Sequence, residues 1–69
     1  MNQIPKIKVG MRVRVMQTDE MVENGLANKK GKVIEILEMD TFYGDECVIQ
    51  FGDGSTRIIY SCSISEISR

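Results

Sequence analysis

The sequence predicts an all-β fold, a small five-stranded antiparallel barrel with one short helical turn in its first long loop. Three observations carry that expectation. Residues 6–15 alternate strictly, with Ile7, Val9, Met11, Val13 and Val15 on one side and Lys6, Lys8, Gly10, Arg12 and Arg14 on the other. Period two with β-branched residues is the pattern of a half-buried strand. Gly31, Lys32 and Val33 open a second β-rich run, where the glycine is expected to let the backbone bend sharply and Val33 to point inward. Phe51, Gly52, Asp53, Gly54 and Ser55 end a third run in an Asp-Gly turn, the strongest short-range hairpin signal.

Gly10 marks a bend before the first strand, predicted over residues 11–16. The second strand covers residues 32–39, where Val33, Ile34, Ile36, Leu37 and Met39 do not alternate cleanly. A bulge that turns both Val33 and Ile36 inward accounts for this, and bulges are how short barrels turn corners. The third strand, residues 46–51, directs Cys47, Ile49 and Phe51 inward, and the fourth spans residues 56–60. Ser61, Cys62 and Ser63 read as a tight turn, with Ile64 and Ile67 anchoring a short closing strand. Residues 17–30 form the longest connection. Thr18 or Asp19 is placed to cap a helical turn there, with Asp19 and Glu20 early and Gly25 as a left-handed terminator. A second loop, residues 40–45, carries Phe42 and Tyr43.

Sixty-nine residues make one domain, 1–69, whose core is a single small cluster. A 42% hydrophobic and 28% charged composition is that of a folded globular chain. No apolar run approaches the roughly 18 residues that span a bilayer, and the N-terminus lacks the apolar stretch of a secretory signal. The expected location is cytoplasmic. Cys47 and Cys62 lie outside any Cys-x-x-Cys pattern, and the chain has no histidine. They are expected to be reduced, partly buried thiols, with a cross-strand disulfide only in an oxidising compartment and no metal site. Net charge is −1, yet residues 1–34 carry seven basic and three acidic groups, and residues 35–69 two basic and seven acidic. Interleaving of the strands is expected to blunt that asymmetry in three dimensions.

The run from Lys8 through Val15, followed by Lys30, Gly31, Lys32, Val33, Ile34, Glu35 and Ile36, resembles the KOW motif of ribosomal proteins and transcription elongation factors. In that family a basic stretch precedes a glycine-x-valine entering a strand of an SH3-like barrel. The run from Val48 to Gly54 is similar to the central hairpin of Tudor-type relatives of the same superfamily. The resemblance implies an SH3-like fold over the chain and binding to RNA, DNA or proteins of the transcription and translation machinery, with Lys29, Lys30 and Lys32 on the basic part of the motif. The chain departs from that pattern in a longer first loop and an acidic overall charge. It also has no aromatic residue in its first half, from which a Tudor-type cage would be built.

Catalysis has little to work with. Without histidine, acid–base work would fall to carboxylates, lysine, tyrosine or cysteine; Asp45 and Glu46 are adjacent on a strand and point to opposite faces. Asp53 reads as a turn former. The expectation is therefore a protein without enzymatic activity and without a cofactor: an interaction module, small regulator or accessory subunit. It would bind another protein through Phe42, Tyr43 and Met21, with Met16 and Met39 as an adaptable rim. The alternative for Phe42 is that it folds back to plug one end of the barrel. A rival function is a KOW-like RNA- or DNA-binding module using Arg12, Arg14, Lys29, Lys30 and Lys32, joined by Lys6 and Lys8. A third is a small stabilising subunit of a larger enzyme.

Overall fold

A computed structural model describes residues 7–67 of the chain. Within them the protein is mostly β: five antiparallel strands form one sheet in the order β4-β3-β2-β1-β5. The strands are β1 (Arg12–Val15), β2 (Lys30–Thr41), β3 (Gly44–Phe51), β4 (Thr56–Tyr60) and β5 (Ile64–Glu66). A helical turn, α1 (Asp19–Glu23), lies in the first long connection, and a 3-10 turn, Ser61–Ser63, joins β4 to β5. None of the described helices is long and apolar enough to cross a membrane.

β2 organises the sheet. Its root pairs on both sides, Gly31 lying opposite Val13 in β1 and Phe51 in β3. Its outer part pairs with β3 alone, ending with Thr41 opposite Gly44. β2 thus extends beyond the predicted 32–39 at both ends, held at the root by β1 and β3 and at the outer end by β3. The register shifts between Val33 and Glu35, again between Ile36 and Glu38, and again before Thr41. The first shift has the predicted consequence: Val33 is buried and Ile36 packs against the core.

Two expectations are corrected. Gly31 is not needed for a bend. A Cβ there would lie 2.7 Å from the Gln50 carbonyl oxygen and 2.7 Å from Ile49 Cγ2, so glycine is required because β3 approaches so closely. The N-terminal alternation also fails at Val9, which is 62% exposed. Gly10 adopts φ +95° and donates its N–H to the Val33 carbonyl, and that turn breaks the period between Ile7 and Met11. Lys6 lies outside the described residues.

The core gathers Ile7, Val13, Val15, Val33, Cys47, Ile49, Phe51, Ile59 and Ile64, with Met21 and Leu26 from the first long connection. Cys47, Ile49 and Phe51 thus face inward as their spacing predicts. Thr18 caps α1, its side chain accepting from Met21 N–H at 3.2 Å, and Gly25 follows at φ +72°. Burial of Met21 and Leu26 pins this connection to the sheet. The second hairpin closes with Gly54 N–H donating to Phe51 O and Phe51 N–H donating to Ser55 O, with Gly54 at φ +91°. That is a three-residue loop with a glycine bulge.

Candidate functional site

The β2–β3 hairpin carries two chemically opposite regions at its two ends. At the tip, Phe42 is 93% exposed on the turn between Thr41 and Gly44, which excludes the plug alternative. It stands on a tightly bonded scaffold. The Thr41 hydroxyl donates to the Gly44 carbonyl and accepts from Tyr43 N–H at 3.1 Å. Asp45 Oδ1 accepts from Asp40 N–H at 3.0 Å, which holds Asp40 at φ +60°. The tip is also tied to the 3-10 turn: Asp45 N–H donates to Ser61 Oγ at 2.8 Å, and Cys62 N–H to the Tyr43 carbonyl at 3.3 Å.

Three aromatic rings meet there. Phe42 and Tyr43 are edge-to-face with centroids 5.1 Å apart, and Tyr43 and Tyr60 lie 5.4 Å apart. Both separations fall in the favourable range for aromatic pairs. Tyr43 and Tyr60 also line a concavity of about 370 Å³, together with Glu20, Met21, Ile58 and Ser63. Met21 differs from the role its sequence position suggested: it is a core residue, 7% exposed, that shows only an edge in this concavity. Met16 and Met39 are exposed, but neither lines it. Phe51 stands apart from the three rings, buried with Lys29 Nζ 5.3 Å from its centroid.

At the root the outward positions are cationic. Arg12 lies opposite Lys32 and Arg14 opposite Lys30 across the β1–β2 ladder, so two like-charged pairs stack one above the other. Arg12, Lys30 and Lys32 border a shallow depression with Gln50 and Gly52; Lys29 reaches a second one beside Asp53. Opposed like charges destabilise a sheet, so this register costs stability. The cations are legible in the sequence but their pairing is not, because register across strands is not written in one strand's residues.

The charge asymmetry along the sequence persists in space. Lys32 and Asp40 are eight residues apart on one strand, roughly 26 Å for an extended chain. The tip holds Glu38 opposite Glu46, and Glu46 lies opposite Tyr60. The outer face of the sheet therefore runs from a basic root to an acidic, aromatic tip.

No group of three or more metal-ligating side chains occurs among the described residues. Cys47 is buried and Cys62 exposed, both free, so only Cys47 matches the expected buried thiol. Burial, aided by the Asp45 charge, raises the Cys47 pKa, and its Sγ donates to the Asp45 carbonyl at 3.4 Å. Asp53 is shifted the other way: hydrogen bonds from the Ser55 hydroxyl and N–H hold its carboxyl below the usual range. That is the signature of a turn former, as the sequence suggested. No family model, curated protein or solved structure matches this chain.

Proposed function

We propose that this chain is a non-enzymatic interaction module that binds another protein through the aromatic tip, with Phe42 and Tyr43 as anchors and Tyr60 as their support. One observation carries the reading: a phenylalanine almost wholly in solvent, on a turn whose neighbours are fixed by five hydrogen bonds. A large apolar group held in one place loses little entropy on binding, and aromatic anchors beside a concavity are the usual centre of a protein interface. Met21 contributes part of the floor. The partner belongs, on the resemblance to KOW-type domains, to the transcription or translation machinery, in the cytoplasm. The sheet pairing fits the same proposal: β2 serves both β1 and β3, and its register shifts supply the curvature by which five strands coil into an SH3-like barrel. Replacing Phe42 and Tyr43 with alanine is expected to abolish capture of the partner while leaving the circular-dichroism spectrum unchanged and lowering the urea midpoint only by the loss of the ring contacts among Phe42, Tyr43 and Tyr60. Capture that survives the double substitution refutes the reading.

A second reading rests on the paired cations of the root. Arg12, Arg14, Lys30 and Lys32, with Lys29 beside them, form a patch suited to a phosphate backbone, the KOW-like nucleic-acid alternative. Four phosphate contacts predict a slope of log affinity against log salt of about −3.6 on duplex DNA. A chain that binds no generic DNA or RNA at low salt eliminates this reading without touching the first.

A further inference from the structure

From the free edge of β4 we infer that this protein self-associates, two copies pairing antiparallel through Thr56–Tyr60 to make one continuous ten-stranded sheet. The phase of the β3–β4 ladder identifies the groups involved. Phe51 and Ser55 form the hydrogen-bonded pair that closes the hairpin. Hydrogen-bonded and non-bonded pairs alternate along an antiparallel ladder, so the backbone groups of Arg57, opposite Ile49, and Ile59, opposite Cys47, point toward β3. Those of Thr56, Ile58 and Tyr60 point away, along the edge where the sheet ends. Among the described residues no other backbone group bonds to Ile58 or Tyr60 on that side.

Within β4 itself, few of the usual deterrents to pairing are present. Edge strands are ordinarily blunted by proline, inward charges, bulges or a covering loop. β4 pairs in unbroken register, contains no proline, and carries one charge, Arg57. Ile58 is 58% exposed, and a concavity separates Ile58 and Tyr60 from Glu20 and Met21 of α1. The opposite edge, β5, is three residues long and ends in Glu66.

A second copy fits this edge on two grounds. With Ile58 opposite its own symmetry mate, Thr56 falls opposite Tyr60, and all three outward-pointing residues meet as hydrogen-bonded pairs. Val48, which lies opposite Ile58 within the chain, then extends an apolar row across both copies. The two-fold axis also reverses the charge polarity, laying the basic root of one sheet alongside the acidic tip of the other. An isologous pair of this kind closes on itself and does not propagate into fibres.

Sedimentation equilibrium over roughly ten micromolar to one millimolar protein tests the inference. The weight-average mass should rise from 7.8 kDa toward twice that value, and Ile58→Lys should hold it at the monomer value throughout with an unchanged circular-dichroism spectrum. Hydrogen exchange supplies an independent readout: the Ile58 and Tyr60 amides should slow about tenfold on concentration, and those of Arg57 and Ile59 should not. A monomer at every concentration overturns the inference. So does a dimer abolished by Phe42→Ala but not by Ile58→Lys, which would place the contact at the aromatic tip.

Discussion

The root and the tip of the β2–β3 hairpin share one ladder but are built for different partners. At the root, β2 is held by β1 and β3 together, its side chains alternate into the core, and the outward positions are lysine and arginine. At the tip, β2 has only β3 beside it, the register slips, and the outward positions are glutamate and aromatic residues. Both ends oppose like charges, Arg14 with Lys30 and Glu38 with Glu46. Neither pairing helps the sheet, so each end holds a concentration of one sign that folding alone does not require. Secondary structure therefore says little here about binding; the difference lies in which residues occupy the outward half of the same alternation.

The largest expected effect is on what the two ends share. Ile49, fully buried opposite Val33 in the core, should cost about 2–5 kcal/mol on replacement by alanine, measured by urea unfolding. Next come two glycines, Gly31 in the root and Gly44 in the tip. Gly31→Ala should cost about 1–3 kcal/mol because its Cβ would drive into Gln50 and Ile49. Gly44→Ala should cost about as much for a different reason, a φ of +96° combined with a clash against Ser61 Oγ. Partial relief of the first by truncating Ile49, the Gln50 carbonyl contact remaining, without relief of the second, would separate the mechanisms.

Charge substitutions at the root should act in the opposite direction. Lys30→Glu turns the Arg14 pair attractive and should raise stability by about 0.2–1 kcal/mol, while lowering any affinity for polyanions. A destabilised Lys30→Glu protein would mean that the cations are positioned by something other than their cross-strand neighbours. Near the tip, a thiol reagent at neutral pH should modify the exposed Cys62 and spare Cys47, which is buried and whose raised pKa lowers its thiolate fraction further; equal labelling would show that the core around Cys47 opens readily. The smallest effect concerns Asp53. Its carboxyl titrates lower in the folded chain than in the unfolded one, so its contribution is present above the ordinary aspartate range and is lost as pH falls through the lowered value. Asp53→Asn should show a slightly flatter acid limb in urea midpoints measured against pH.

Much of this architecture could be read in the residues. Fourth-strand bounds, the inward set Cys47, Ile49 and Phe51, the Thr18 cap, the Asp53-Gly54 reversal and the bulge after Val33 all follow from local chemistry. What could not be read were relations between strands. The demand for glycine at position 31 comes from Gln50 and Ile49, nineteen and eighteen residues away, and so looked like a demand for a bend. The pairing of Arg12 with Lys32 needs a register, and the meeting of Tyr43 with Tyr60 needs the 3-10 turn that folds back on the tip. A methionine in a polar loop looks fully available, whereas Met21 packs into the core and shows only an edge to the concavity it helps to line. Ile58 and Tyr60 did leave a signal, alternating with Ile59 along β4, which marks them as the outward pair of that strand.

The most direct test sets the two ends against each other in one capture experiment. Immobilised wild-type protein, Phe42→Ala/Tyr43→Ala and Lys30→Glu/Lys32→Glu are exposed to native lysate with and without nuclease. The tip variant should lose its protein partner while the root variant keeps it, and nuclease should leave that partner in place. A tip variant that captures the same partner as wild type would contradict the binding role of the tip.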